Sequence, residues 1–409
     1  MLNTIGFLFI IGIVACHATM LRFAQTPIGL GELFIALALL LTIIKMLVSV
    51  NFTLSFSTKV LLFYWFFTLC LLGLGFFVSR NLAIGSESAI HNAIAILFVA
   101  FFSIGISIHF GSGQKMEKML LYVSIVFLLF QLSIFIAAKT QYSPFGMELF
   151  SANNHYRFEG FADNPNQLAL YFCCIPFVFI ALYRTGNCVV KMCSIVAVLL
   201  TFYLGYQTKS DALLLSWCIG TVAFILITSL TKSRVSMYWQ PALAITSILL
   251  LSVLLFFFAG STKIYSGALS AIEGVYYGEG GQGAVRVGLW RNGLVALMES
   301  PFTGLGPGSF SGIDASFNNT ESHNTIIDWS LQVGVVGLLL LVIFVSLAFI
   351  NTWRRGRIDL MSGLLALVVF AQFHYILRQP LAWVVILWAL SANEQPRRNS
   401  AVLPCSKGE

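Results

Sequence analysis

Long apolar runs that almost no charge interrupts make up most of this chain, and they constrain its fold more than any other feature. They cover residues of roughly 4–20, 28–49, 58–78, 89–110, 118–138, 166–183, 188–206, 210–230, 241–259, 325–350, 359–376 and 379–392. A helix needs about 20 apolar residues to cross the hydrocarbon of a bilayer. A membrane β-barrel would show alternating segments of about ten residues instead. The sequence therefore predicts an all-α, polytopic integral membrane protein with about 12 transmembrane helices, residues 1–409 forming one membrane domain. The composition agrees: 58% of residues are hydrophobic and 10% charged, against about 25% charged in an ordinary soluble domain. A soluble enzyme, a nucleic-acid-binding protein and a disordered tail protein are excluded. The last two runs are short and tightly joined, and an eleven-span reading would move the C-terminus to the other side.

The net charge of +7 reads first as topology. With the N-terminus in the cytoplasm, inside loops hold fourteen of the 23 Lys and Arg, and outside segments hold nine. Of the 16 carboxylates only Glu117, Asp359, Glu394 and Glu409 fall inside. That is the asymmetry of the positive-inside rule. No Lys or Arg precedes the first run, so it reads as an uncleaved helix despite the small-x-small stretch Ala15-Cys16-His17-Ala18. The eight cysteines show neither a CxxC nor a Cys/His cluster, so no metal site and no disulfide framework is indicated.

Two outside loops are long, about 139–165 and 260–324, and loops of that length are usually functional or disordered. The second contains an amphipathic stretch, Val285 to Met298. Arg286 and Arg291 lie five residues apart on it, diverging by about 140° on an ideal helix. One helix face would not carry both.

Four polar clusters gather on this outer side. They are Arg157 to Gly160 with Asn164-Pro165-Asn166-Gln167, Thr208-Lys209-Ser210-Asp211, Arg286 with Arg291 and the following glycines, and Glu321-Ser322-His323-Asn324. Arg80 and Arg378 share that side. Arginine suits phosphate because its planar fork donates two parallel hydrogen bonds and stays charged near lipid. Asn166 and Ser210 near helix N-termini add donors for an anion. His323 can accept a hydroxyl proton near neutral pH; Glu321 or Asp328 could orient it or act in its place. The bland alternative is an interfacial histidine. Gly304, Gly306 and Gly308 are not a dinucleotide fingerprint, since no strand precedes them and the spacing is wrong.

The order of these blocks resembles the O-antigen ligase and O-antigen polymerase (Wzy) superfamily. R-x-x-G-x-x-x-N-P-N-Q-x-A begins at Arg157 and T-x-S at Thr208. R-x-x-x-W-R-x-G begins at Arg286, S-P-F-x-G-x-G-x-G-x-F at Ser300 and S-H-N-x-x-I at Ser322. The resemblance covers about residues 150–345. It implies a GT-C-type glycosyltransferase of the bacterial inner membrane that needs no metal or other cofactor and works at the periplasmic face. The donor would be a glycan on undecaprenyl diphosphate. The acceptor would be lipid A–core for a ligase or another lipid-linked glycan for a polymerase, with a chain-length regulator protein as a further partner. Arg286 and His323 would be catalytic together with Glu321. Arg157 and Arg291 would hold the diphosphate, and by their place on the outer side Asn164, Asn166, Lys209, Asn324, Arg80 and Arg378 are expected to contact diphosphate or glycan as well. Many members carry an arginine just after the T-x-S threonine; Lys209 and Asp211 stand there instead, and lysine meets phosphate only as a point charge. The Asn-Pro-Asn-Gln and Ser-His-Asn blocks favour polymerase over ligase. A transporter should carry ionisable residues in mid-span, which are nearly absent here, and a purely structural envelope protein leaves the outer arginines unexplained.

Overall fold

The computed structural model describes residues 4–23, 28–49, 54–80, 86–111, 113–140, 142, 147–151, 156–232, 282–309 and 320–391. Among them are twelve α-helices: α1 Thr4–Ala15, α2 Leu30–Val48, α3 Phe56–Arg80, α4 Ser86–Phe110, α5 Gly113–Lys139, α6 Pro165–Thr185, α7 Cys188–Gln207, α8 Asp211–Lys232, α9 Gln282–Leu297, α10 Thr325–Arg354, α11 Ile358–Phe370 and α12 Pro380–Ser391. Eight of these are long and apolar enough to cross a membrane. The protein is thus a polytopic, essentially all-α membrane protein. The span expected at 241–259 lies outside the described residues.

Helix α12 is the axis of the bundle. All twelve of its residues are buried, as expected for a helix that is apolar all round. It packs against α10, α5, α4 and α11. Its Trp383 ring sits 4.7 Å from Trp65 and 5.7 Å from Tyr64 between centroids. In lipid, where apolar burial no longer favours association, close packing and hydrogen bonds hold helices together. Trp65 donates to Ser103 Oγ at 2.8 Å, and Asn351 Nδ2 donates to the Ala389 and Leu390 carbonyls at 3.0 and 2.9 Å.

The chain's connections meet at two ends. At one, the Met20 N–H donates to the Phe161 carbonyl at 3.0 Å and the Thr325 N–H to the Ala371 carbonyl at 2.8 Å. At the other, Arg357 spans Glu117 and Asp359, and Arg184 approaches Asp359 at 3.6 Å.

Helix α10 is broken at Gly334, where φ is 67° and ψ −177°. The Gly-rich loop after α9 fills the break. Continuing the helix would pair the Leu331 carbonyl with the Val335 N–H and the Gln332 carbonyl with the Val336 N–H. Instead Leu331 and Gln332 accept from the Leu305 and Gly306 N–H groups at 2.7 and 3.0 Å. Val335 and Val336 donate to the Pro301 and Phe302 carbonyls at 2.8 and 3.4 Å. These four groups thus find new partners, as irregular backbone at membrane depth requires. The approach requires glycine: a Cβ on Gly334 would lie 2.2 Å from the Phe302 carbonyl oxygen, and one on Gly75 of α3 2.4 Å from the Gly306 nitrogen.

Three details differ from the sequence expectation. The first span, expected to reach residue 20, stops at Ala15, and the chain turns so that Thr19 Oγ1 can bond Gln167 and the Asp163 N–H. The loop expected at 139–165 carries a two-stranded antiparallel pair, β1 Phe150–Ser151 and β2 Arg157–Phe158. The run expected to continue to residue 376 leaves the helix at Phe370, because the Ala371, Gln372 and His374 carbonyls are taken by Asn324 and Thr325.

Candidate active site

Two of the sequence blocks meet at Arg157. The guanidinium donates from Nε to the Thr208 carbonyl and from Nη2 to Asn166 Oδ1, both at 2.8 Å. Asn164 does not reach toward it; it caps α6, its Oδ1 accepting the Asn166 N–H at 2.8 Å with Pro165 in the first turn. The asparagines thus divide the work, one starting the helix and one holding the arginine.

The Ser-His-Asn turn is built with the same economy. The Ser322 N–H donates to Asp328 Oδ1 at 2.8 Å, and Ser322 Oγ closes on the Asn324 backbone. Asn324 Oδ1 caps α10 by accepting the Ile326 and Ile327 N–H groups, while its Nδ2 donates to the Gln372 carbonyl at 3.1 Å. Thr325 Oγ1 donates to the His374 carbonyl at 2.6 Å. Each of these side chains is spent on backbone. His323 is not, and it sits at a φ of 55°, a left-handed conformation that costs a non-glycine residue about 1–3 kcal/mol. The surrounding bonds over-determine the turn and present the imidazole.

Helix α9 brings Arg286 to this turn. Trp290 Nε1 donates to the Ser322 carbonyl at 3.0 Å and locks the helix to it. Arg286 is half-buried and acts electrostatically on His323, His374 and Arg157. Neither Arg157 nor Arg286 has a carboxylate within ion-pair distance among the described residues. Asp211, at the start of α8, is the carboxylate whose charge both feel. Burial lowers the pKa of each guanidinium below its ordinary value, and Asp211 opposes this. Burial, aided by Arg286, likewise lowers His323 below 6.5, while Glu321 opposes the shift. Burial also lifts Glu159, beside Arg157, to about 7.

The remaining expected residues fall into place differently. Glu321 is paired with Arg378, which also donates to Asn92 Oδ1 at 2.8 Å and lies over the Tyr375 ring at 5.0 Å. Asp328 holds the Ser322 backbone. Arg291 is exposed on a different face of α9, beside a shallow apolar depression formed by Val287, Trp290, Leu294, Val295 and Met298. Lys209 is exposed on the α7–α8 turn with a φ of 49°. Arg80 ends α3, and its side chain lies outside those described.

Sequence reading missed His374. Its ring centroid is 6.3 Å from that of His323, and burial and the neighbouring arginines push its pKa down to about 3. The available signal was polar: Gln372 and His374 interrupt the end of an apolar run. Helix α11 is 13 residues long, about 20 Å, so it ends short of a hydrocarbon core about 30 Å thick.

No curated protein matches the chain. A family model does: residues 195–342 match that of the O-antigen ligase family, just over a third of the chain, holding Arg286 and His323 but neither Arg157 nor His374. Over those residues the chain is therefore similar to the O-antigen ligase family, in support of its resemblance to the O-antigen ligase and polymerase superfamily.

Proposed function

We propose that this protein is a metal-independent glycosyltransferase of the inner membrane, acting at the periplasmic face on a glycan carried by undecaprenyl diphosphate. The observation that carries the reading is the meeting of Arg157 and Arg286, neither within ion-pair distance of a carboxylate among the described residues, beside a half-buried imidazole at one end of the bundle. Unpaired arginines held in place favour a multiply charged anion. A partly desolvated setting strengthens their pull on the charge that develops as the diphosphate leaves.

In the reaction, the acceptor hydroxyl oxygen bonds to the anomeric carbon of the donor. The bond from that carbon to the diphosphate oxygen breaks, and its electron pair leaves with undecaprenyl diphosphate. His323 takes the hydroxyl proton. Glu321 favours the imidazolium that results, since its charge raises the His323 pKa against burial and Arg286. Arg157 and Arg286 hold the diphosphate.

The Asn-Pro-Asn-Gln and Ser-His-Asn blocks favour a polymerase that extends O-antigen or exopolysaccharide repeat units. The family match favours the second reading, a ligase that transfers the glycan to lipid A–core. The test places purified protein in lipid nanodiscs with an undecaprenyl-diphosphate glycan and supplies each acceptor in turn. A ladder of longer lipid-linked glycans means polymerase. Glycosylated lipid A–core with no ladder means ligase. A donor left intact under both conditions, with fully folded protein, sinks the proposal.

A further inference from the structure

We propose that His374 is a second substrate-contacting imidazole, which donates an N–H to the diphosphate oxygen that leaves the sugar. The inference rests on the function proposed above and deepens it at the same site.

Geometry places His374 as firmly as His323. The Thr325 N–H and Oγ1 donate to the Ala371 and His374 carbonyls, Asn324 Nδ2 donates to the Gln372 carbonyl, and the Ile376 N–H returns to Thr325 Oγ1 at 3.1 Å. The two residues after His323 therefore hold the backbone on both sides of His374. The ring rests on buried Phe370, centroids 4.9 Å apart at 31°, and lies 6.3 Å from the His323 ring. That spacing leaves room between the imidazoles for substrate oxygens at ordinary hydrogen-bond distance from each.

The surroundings separate the two roles. His323 feels Glu321 and Arg286, whereas His374 feels Arg286, His323 and Arg157. His323 is therefore the imidazole that feels a carboxylate, whose charge opposes the lowering by burial and Arg286. His374 lies in the field of both arginines, where the departing diphosphate belongs and where a further positive charge is resisted. An imidazole kept neutral still has one N–H to donate, and such a donor stabilises the negative charge gathering on the leaving oxygen. The His374 proton stays on its nitrogen; the acceptor's proton goes to His323.

The test compares H374A, H374Q, H323A and H323Q in nanodiscs with the lipid-linked donor. It also maps histidine carbethoxylation by mass spectrometry in wild-type protein with and without undecaprenyl diphosphate. The expected results are a loss in kcat of about 100-fold for H374A, partial recovery in H374Q through its amide N–H, and none in H323Q, which lacks a base. Undecaprenyl diphosphate should protect His374 from modification. Wild-type kcat in H374A, or an unprotected His374 in protein that turns over donor, overturns the inference while leaving the function intact. Wild-type protein that neither consumes donor nor shows protection at either histidine overturns the function itself.

Discussion

Arg357 at one end of the bundle and the pair Arg157 and Arg286 at the other are used in opposite ways. At one end Arg357 donates to both oxygens of Glu117 at 3.1 and 3.0 Å and to Asp359 at 3.1 Å, and Arg184 adds a second cation 3.6 Å from Asp359. Charge there is matched, and the cluster ties α5, α6 and α11 together. At the other end Arg157 is fixed by a carbonyl and an amide, and Arg286 by its helix, with no carboxylate at ion-pair distance from either among the described residues. Neutral ligands hold a guanidinium in place without cancelling its charge. Paired arginines hold a fold; arginines positioned by neutral groups leave their charge for a ligand.

The largest expected effect separates the two ends. R286A should lower glycan transfer by at least about 100-fold while insertion and thermal unfolding in detergent stay unchanged. R357A should do the reverse. Removing it leaves Glu117 without its bidentate partner and the nearly buried Asp359 with only the longer contact to Arg184, and costs about 3 kcal/mol of stability, with protein that remains folded turning over donor at a near-normal rate. If R286A unfolds as easily as R357A, the contrast between the ends is wrong.

Next in size comes a pair of glycines two residues apart on α3. G75A forces its Cβ into the Gly306 backbone and should cost about 2–3 kcal/mol, since neither backbone has room to move. Gly73 has open space around its Cβ position, so G73A should change stability by less than about 1 kcal/mol. Equal melting of the two variants would show that the strap at the α10 break is not tight.

A smaller effect concerns pH. Because burial and Arg286 lower His323 below 6.5, the proposed base is neutral at pH 7 and the rate should fall only as pH drops below 6.5. E321Q removes the charge that favours imidazolium and should move this acid limb lower still. A limb that moves upward in E321Q would reverse the assigned sign. The smallest effect is expected for K209A, about threefold or less in kcat/KM, because an exposed lysine at the rim offers a screened point charge. A loss as large as that of R286A would place Lys209 in the diphosphate site.

Local pattern alone determined much of this protein. Apolar runs of spanning length have one solution in a bilayer, and they mark α2 to α8 and α10 within a few residues. Asn164-Pro165 and Asn324 announced the starts of α6 and α10, because capping is chemistry between near neighbours. The spacing of Arg286 and Arg291 on one helix correctly separated their directions, since angle per residue is a property of the helix itself.

Tertiary structure decided what depends on partners far away in the chain. Gly304, Gly306 and Gly308 could be set apart from a dinucleotide motif, but only the fold shows that this loop replaces four backbone groups at the Gly334 break. Glu321 looked like a partner for His323 by proximity in sequence, yet Arg378, 57 residues on, takes its carboxylate. Arg157 and His374, outside the matched family region, reach the site because Asn166, Thr208, Asn324 and Thr325 carry them there. Hydrogen bonds and charge act across a few ångströms of space whatever the separation in sequence. Helix formation is therefore legible from the apolar pattern, while the arrangement of arginines and imidazoles is settled only where the loops meet.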